Sequence, residues 1–162
     1  MQQVASGTRQ TWKAYHEEHE EREEHEGSQK MSLHVDSPLP EATEQLIHQT
    51  IGAAIQVHRM LGTGFHESIY EKALCHELEL QRIEFEAQKQ IEIVYKGMRV
   101  GKQRIDLLIA QTVIVELKAV DALLPLHQAQ IISYLRATHL QAGLLINFNV
   151  YRLKEGVRRV II

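Results

Sequence analysis

Three charged side chains lie within stretches that otherwise have the composition of buried β-strands. Asp106 interrupts the run IDLLI, and Glu116 and Lys118 interrupt the run VIVELKAV. An ionised group left unpaired in a protein core costs several kcal/mol. The sequence therefore predicts that these three side chains compensate one another or bind something together.

Spacing brings the two carboxylates together. Successive strand residues point to opposite faces, so Glu116 and Lys118 share a face. If the two runs form an antiparallel hairpin that turns near Ala110-Gln111, Asp106 lies level with Glu116, because both are equidistant from that turn. Two carboxylates about 4 Å apart repel by roughly 4 kcal/mol at an effective dielectric of about 20. A divalent cation between them would turn this repulsion into attraction.

Paired carboxylates are typical of a site for Mg²⁺ or Mn²⁺. Hard oxygen ligands that leave room for water and a phosphate suit these cations better than they suit zinc. The cation would polarise a phosphoryl oxygen and lower the pKa of a bound water, and Lys118 would orient that water or stabilise developing charge. The alternative is a buried ion pair between Lys118 and one carboxylate, with no chemistry.

Apolar periodicity predicts the elements that would carry these residues. A helix follows Pro40 and ends at Gly62, and a second helix runs from about Glu67 to Gln81. From Gln88 the apolar period changes from about 3.6 to about 2, which is typical of strands. The predicted order is α, α, β, β, β, α, β, β, with strands at 88–95, 100–109, 112–120, 142–150 and 157–162, a third helix at 123–138 and a turn near 155–156.

These residues and their order resemble the PD-(D/E)XK nuclease superfamily, whose core has the order αβββαβ and whose motif strand supplies Glu-x-Lys. Nine residues separate Asp106 from Glu116-Leu117-Lys118. The segment GFHESIY at 64–70 is similar to the motif that names the GxxExxY group of that superfamily. The resemblance covers residues 41–162 and implies an α/β, restriction-endonuclease-like core with a mixed sheet flanked by helices.

The resemblance also implies which residues carry the chemistry. Asp106, Glu116 and the backbone carbonyl of Leu117 would bind the metal, and Glu67 would be an additional acid that contacts the metal directly or through water. Lys118 would be the catalytic lysine, and it would act together with Asp106, Glu116 and Glu67. The proline that commonly precedes the aspartate in this superfamily is replaced by isoleucine in this chain.

Residues on two helices are candidates for a supporting or substrate-binding role. Gln130 and Tyr134 match a Q-x-x-x-Y pattern that follows the motif strand in some exonuclease branches, and His127 lies on the same helical stripe. Tyr70 follows Glu67 by three residues, so the two share a helix face and could point jointly into a site. The alternative is a polar edge on one helix and a core tyrosine on the other.

Basic residues that could track a phosphate backbone lie in two groups. One group leads into the Asp106 strand and includes Arg104, and the other surrounds the last hairpin. The alternative is solvated charge on strand edges, where lysines also discourage aggregation. The groups are Lys89, Lys96, Arg99, Lys102 and Arg104, and Arg152, Lys154, Arg158 and Arg159.

The first 36 residues differ from the rest of the chain. They contain four basic and eight acidic residues, whereas residues 37–162 contain fourteen basic and thirteen acidic ones. A segment of this composition cannot bury enough apolar surface to offset the entropy lost on ordering, and we therefore expect a mobile or frayed acidic tail. Such a tail is a candidate contact for a protein partner. His16, His19 and His25 could hold a divalent metal weakly, and a metal-binding module that depends on this tail is a further alternative.

Composition excludes several classes of protein. A net charge of −3 excludes a histone-like polycation that binds nucleic acid through bulk charge. The single cysteine, Cys75, excludes an intramolecular disulfide framework and a cysteine-only zinc site. No run of eighteen apolar residues is present, so we expect no membrane span and a cytoplasmic location.

The residues and the resemblance together predict a nuclease that depends on Mg²⁺ or Mn²⁺ and hydrolyses phosphodiester bonds in nucleic acid, with DNA favoured as the substrate. Cleavage of both strands of a duplex by so small a domain would favour a homodimer. The alternative is a protein with a nuclease fold that binds nucleic acid or a protein partner without cutting.

Overall fold

The computed structural model of the protein describes residues 37–162. The predicted acidic tail and its histidines lie outside the described residues. Helix α1 (Glu41–Leu61) begins directly after Pro40, whose φ of −56° already suits a helix. It ends at Gly62, where a φ of +69° requires a residue that tolerates the left-handed region. The predicted bounds of this helix are therefore observed.

The sheet contains five strands, which are β1 (Phe85–Tyr95), β2 (Met98–Ile109), β3 (Val113–Lys118), β4 (Ala142–Asn147) and β5 (Val157–Ile161), in that spatial order. Strands β3 and β4 are parallel, and the other neighbouring pairs are antiparallel. Parallel neighbours need a crossover connection, and helix α3 (Pro125–Thr138) supplies it. Helix α2 (Glu67–Leu80) precedes β1, and the one-turn helix α4 (Leu153–Gly156) separates β4 from β5.

Helices cover both faces of the sheet. Val115 and Leu117 of β3 pack in the core cluster that α1 and α2 share with the sheet, whereas Ile114 packs in a second cluster with Ile131 of α3. Burial on both faces explains the continuous apolar composition of the central strands. The architecture confirms the predicted α/β fold with a mixed sheet in the order αβββαβ. Within residues 37–162, no helix has the length and apolar character that crossing a bilayer requires.

Several predicted boundaries shift by a few residues. Strand β1 begins at Phe85, and its alternation is interrupted at Gln88, which has a φ of +55°. Strand β3 ends at Lys118 and β4 at Asn147, because the Asn147 side chain takes over the hydrogen bonds of the Val120 backbone. The predicted turn near 155–156 is part of the one-turn helix α4.

Candidate active site

The hairpin formed by β2 and β3 brings two of the predicted acids level with each other. Residues 107–109 pair with residues 113–115, which sets Asp106 opposite Glu116 at the next position. Because Ile109 pairs with Val113, the connecting loop has three residues, 110–112, and its first two have φ angles of +43° and +55°. The predicted alignment of Asp106 with Glu116 is therefore observed, with Gln111 at the centre of the loop.

The sheet bends at Asp106. Ile105 packs in the α3 cluster and Leu107 in the α1–α2 cluster, although residues two apart in a flat strand would share a face. The neighbouring strand carries Gln88, with its positive φ, at the matching position. Asp106 is half-buried at this bend, and its Oδ2 accepts a hydrogen bond of 2.8 Å from the backbone N–H of Leu117.

Glu116 and Lys118 lie on one face of β3, as strand alternation predicts. Lys118 Nζ donates to Glu116 Oε1 at 2.8 Å, and the two side chains are 13% and 4% exposed. The second carboxylate oxygen, Glu116 Oε2, is buried and has no hydrogen-bond partner. A buried acceptor without a partner carries an uncompensated desolvation cost.

The site has an excess of negative charge. Burial, reinforced by the charge of Asp106, raises the pKa of Glu116 to about 7, although Lys118 donates a hydrogen bond to it. Burial also raises the pKa values of Asp106 and Glu67, against the attraction of Lys118. Burial disfavours the Lys118 ammonium, but its hydrogen bond to Glu116 and the three nearby carboxylates outweigh this effect and raise its pKa. An added cation would relieve the imbalance.

Two elements outside the hairpin contribute to the site. Glu67 lies in the first turn of α2, where its charge acts on Lys118. Gln88 is a site residue that the sequence reasoning missed, because a glutamine within a strand pattern carries no signal of this kind. Its Nε2 donates to Glu71 Oε2 at 2.6 Å, and its side chain also acts on the Asp106 carboxylate, whose pKa it lowers. Gln88 thus connects α2 to the Asp106 carboxylate.

Tyr70 does not share an open face with Glu67, which corrects that part of the prediction. Its side chain is fully buried and stacks on Phe148, with ring centroids 4.5 Å apart. Its hydroxyl donates to the Gly62 carbonyl at 2.8 Å and accepts from the Phe65 N–H at 3.2 Å. Tyr70 therefore supports the loop that leads into Glu67 and is shielded from substrate.

The polar stripe of α3 makes contacts of its own. Gln130 Nε2 donates to the hydroxyl of the nearly buried Tyr134 at 2.6 Å. His127 Nδ1 accepts the N–H of the N-cap residue at 3.1 Å and so caps the helix. Arg104 is exposed, and its charge acts on Asp106. The positive charge of Arg104 thus reaches Asp106, whereas the contacts of His127 are those of a helix cap.

The predicted basic groups are partly engaged in ion pairs. Within residues 37–162, three of their nine members contact carboxylates: Lys89 pairs with Glu86, Arg99 with Glu92 and Arg159 with Glu44. Lys96 lies 5.4 Å from the ring centroid of Tyr95. Exposed pairs of this kind contribute little to stability.

The donor types fit a hard divalent cation. Carboxylates of Asp106 and Glu116 and the backbone carbonyl of Leu117 are oxygen ligands of the kind that Mg²⁺ and Mn²⁺ take, and Glu116 Oε2 has no other partner. Among residues 37–162, no three His, Cys, Asp or Glu side chains converge as a finished metal site. Lys118 donates to Glu116 Oε1, and the Leu117 N–H donates to Asp106 Oδ2.

Asn147 is a second residue that the sequence reasoning missed. It pairs with Lys118 across the parallel strands and is almost completely buried. Its amide accepts from the Val120 N–H at 3.0 Å and donates to the Val120 carbonyl at 2.7 Å, and its Oδ1 also accepts from the Asn149 N–H at 3.2 Å. The chain directly after Lys118 is thereby tied to β4.

Replacing Asn147 by alanine should lower the free energy of unfolding by about 2 kcal/mol, since it leaves two half-buried backbone groups of Val120 without their partner. Urea denaturation measures this change. Asn149→Ala is the matched control, because its side chain makes an exposed hydrogen bond to Asp121, and it should change stability by about 0.5 kcal/mol or less. Equal effects of the two variants would contradict the role assigned to Asn147.

The raised pKa of Glu116 makes stability depend on pH. The folded state binds the Glu116 proton more tightly than the unfolded chain, so this contribution to stability is complete below about pH 4.5 and is lost as pH rises through about 7. In EDTA at pH 8, Glu116→Gln should therefore be more stable than the wild type by on the order of 1 to 2 kcal/mol. The difference should shrink towards pH 5 in thermal melts. Glu84→Gln, which removes an exposed carboxylate, is the control, and a difference for Glu116→Gln that stays constant with pH would contradict the assignment.

Comparison with known proteins supplies one match. A family model described as the PD-(D/E)XK nuclease superfamily matches residues 44–160. The matched range includes Glu67, Asp106, Glu116 and Lys118 and every strand of the sheet to within one residue. Comparisons with curated proteins and with solved structures returned no match.

Proposed function

The chain belongs to the PD-(D/E)XK nuclease superfamily, and from this membership we propose that it hydrolyses phosphodiester bonds in nucleic acid, with DNA as the substrate and Mg²⁺ or Mn²⁺ as the cofactor. One observation carries the proposal: Glu116 Oε2 is buried without a partner beside a second acid, Asp106. A purely structural ion pair would pair both oxygens or neutralise the acid. A buried carboxylate with one unpaired oxygen is suited to bind a cation that arrives from solution.

We propose that Asp106, Glu116 and the Leu117 carbonyl hold the cation and that Glu67 assists. A divalent cation at such a site would supply Lewis-acid polarisation of a phosphoryl oxygen and make a nearby water more acidic. Lys118 carries the part of the reaction that belongs to the protein chain. Its raised pKa keeps the ammonium protonated at neutral pH, so that Nζ can orient the attacking water and stabilise the negative charge that develops on the phosphoryl group.

We further propose that the chain belongs to the GxxExxY group, because the three residues of that motif act as one structural unit. Gly64 has a φ of +97° in the loop before α2. The Tyr70 hydroxyl bonds the backbone of the same loop at both Gly62 and Phe65. The loop geometry fixed in this way determines where α2 begins and hence where Glu67 lies.

The test is a panel of single-stranded and double-stranded DNA and RNA, incubated with Mg²⁺, Mn²⁺ or EDTA and resolved on denaturing gels. We expect cleavage of DNA with either cation and none in EDTA. Glu116→Gln protein, purified in parallel, controls for a contaminating nuclease. Cleavage that persists in EDTA or in Glu116→Gln would contradict the proposal, and so would the absence of cleavage on every substrate.

A protein that binds nucleic acid without cutting it is the second candidate. It is favoured by the Lys118–Glu116 ion pair at 2.8 Å, which partly neutralises the site without a metal. The two candidates differ in how Mg²⁺ affects binding. A non-cutting protein should keep its nucleic-acid affinity when Asp106 is replaced by asparagine, in the presence or absence of Mg²⁺, whereas a metal-assisted nuclease should lose the Mg²⁺-dependent part.

Three finer predictions stay proposals. A homodimer would present two sites to the two strands of a duplex, and sedimentation equilibrium measures it. A cytoplasmic location suits the single thiol of Cys75. A protein partner at the acidic segment 1–36 is tested by comparing pull-downs with and without that segment.

A further inference from the structure

The outer part of the β1–β2 hairpin extends beyond the sheet. Strand β2 pairs with β3 only over residues 107–109, so residues 94–104 have no strand neighbour other than their own hairpin partner. Every residue from 94 to 104 is exposed. We call residues 94–104 the arm. Its tip is a tight turn at Lys96 and Gly97, with φ angles of +48° and +82°.

The arm is more basic than the rest of the described chain. The arm contains four cations, Lys96, Arg99, Lys102 and Arg104, and no acid, and the strand that faces residues 101–104 adds one acid, Glu92, which forms an ion pair with Arg99 at 2.8 Å. The other described residues contain ten Lys and Arg and thirteen Asp and Glu. Positive charge is therefore concentrated on the one part of the sheet that extends into solvent, which favours a polyanionic partner.

The arm also exposes apolar side chains near its tip. Val94, Tyr95, Met98 and Val100 are each more than half exposed. An isolated hairpin is marginally stable in water, and contiguous exposed apolar residues usually mark a binding surface. Ile91 and Ile93 anchor the base of the hairpin against the α3 cluster, so the arm is held at one end and open at the other.

The arm is continuous with the candidate active site. Arg104 precedes Asp106 by two residues on β2, and its charge acts on that carboxylate. At about 3.3 Å per residue, Met98 at the tip lies roughly 26 Å along the strand from Asp106, which corresponds to about eight base pairs of B-form duplex. A duplex that follows the arm would thus arrive at the site.

We propose that the arm lies in the major groove of a B-form DNA duplex and holds it against the Asp106–Glu116 site. This inference rests on the proposed function and adds the form of the substrate. The major groove of B-DNA admits a two-stranded β-ribbon, whereas the deep, narrow major groove of A-form RNA excludes side chains. The cations then contact phosphates at the groove edges, and the apolar tip packs against base edges.

The test measures equilibrium binding by fluorescence anisotropy in EDTA, with a labelled 20-base-pair DNA duplex, the RNA duplex of the same sequence and single-stranded DNA. The arm variant is Lys96→Ala, Arg99→Ala, Lys102→Ala, which leaves Arg104 in place. The matched control removes three exposed cations outside the two predicted basic groups, as Arg59→Ala, Lys72→Ala, Arg136→Ala. Circular dichroism melts establish that both variants remain folded.

We expect the arm variant to bind duplex DNA about 10- to 100-fold more weakly than the control, and to lower the slope of log affinity against log salt by about 2 to 3. The loss on duplex RNA should be less than about threefold. Equal affinity of the two variants for duplex DNA would overturn the proposal, as would an equal loss on RNA or single strands. Because EDTA prevents metal-dependent cleavage, failure of the cleavage test leaves this measurement intact, and the reverse also holds.

A second variant, Tyr95→Ser, Met98→Ser, separates DNA from a protein partner at the tip. The proposal expects weaker binding of duplex DNA with no change in sedimentation coefficient. A change in oligomeric state with DNA affinity unaltered would overturn it, since the apolar tip would then be a contact between copies of the chain.

Discussion

Replacing Lys118 by methionine is expected to slow phosphodiester cleavage by about 10² to 10⁴-fold while the protein stays folded. Methionine keeps most of the length and apolar volume of the lysine stem, so packing on β3 changes little. What it removes is the ammonium that lies 2.8 Å from Glu116 Oε1 in a largely buried position. The loss should appear in kcat more than in KM, because the lost interaction acts on developing charge.

The measurement is single-turnover cleavage of a labelled duplex with saturating Mg²⁺. Lys72→Met is the control, because Lys72 is an exposed lysine on α2, and it should cleave at the wild-type rate. Wild-type kcat in Lys118→Met would remove Lys118 from the mechanism. Loss of the cooperative thermal transition would instead indicate that the ion pair holds the strand, and Lys118→Arg, which keeps the charge, then distinguishes the two roles.

Asp106→Asn is expected to have two opposite effects. Cleavage should fall by about 10³-fold or more, since one of the two central carboxylate ligands is lost. The metal-free protein should become more stable at pH 8, because burial raises the pKa of Asp106 and its charge in turn raises the pKa of Glu116. Asparagine keeps an oxygen that can accept from the Leu117 N–H, so the backbone contact survives.

Calorimetric titration with Mn²⁺ and thermal melts in EDTA check these two effects together. We expect Asp106→Asn to lose measurable metal binding and to melt a few degrees above the wild type. Asp121→Asn, an exposed aspartate beyond β3, is the control and should change neither quantity. Undiminished Mn²⁺ affinity in Asp106→Asn would contradict a metal site at this carboxylate, whatever happens to the melting temperature.

The sequence predicted those parts of the site that follow from strand geometry. The alignment of Asp106 with Glu116 needed only a count of five residues on each side of Gln111, and the Glu116–Lys118 contact needed only alternation along one strand. The end of α1 at Gly62 was equally accessible, because glycine marks a position with positive φ. In each case the decisive interaction is local along the chain.

Contacts between distant elements were not accessible in this way. Tyr70 and Glu67 share a helix face by spacing, but the packing of Phe148 and the loop carbonyl of Gly62 buries the tyrosine. Gln88 has the residue type of a solvated strand position. Its left-handed φ, at the place where β1 and β2 bend beside Asp106, has no signal in the sequence. Such roles depend on three or more elements at once, and the periodicity of a single segment does not encode them.

The hydrogen bond from the Leu117 N–H to Asp106 bears on how related sequences should be interpreted. Backbone pairing between β2 and β3 ends at Leu107 and Val115. The Asp106 carboxylate therefore accepts the Leu117 N–H, which a backbone carbonyl of β2 would otherwise accept. A descendant that no longer cleaved anything would still gain stability from an acceptor at this position. Retention of an acceptor at position 106, whether aspartate or asparagine, is therefore a poor diagnostic of activity, whereas retention of Glu116, whose buried Oε2 has no partner, is an informative one.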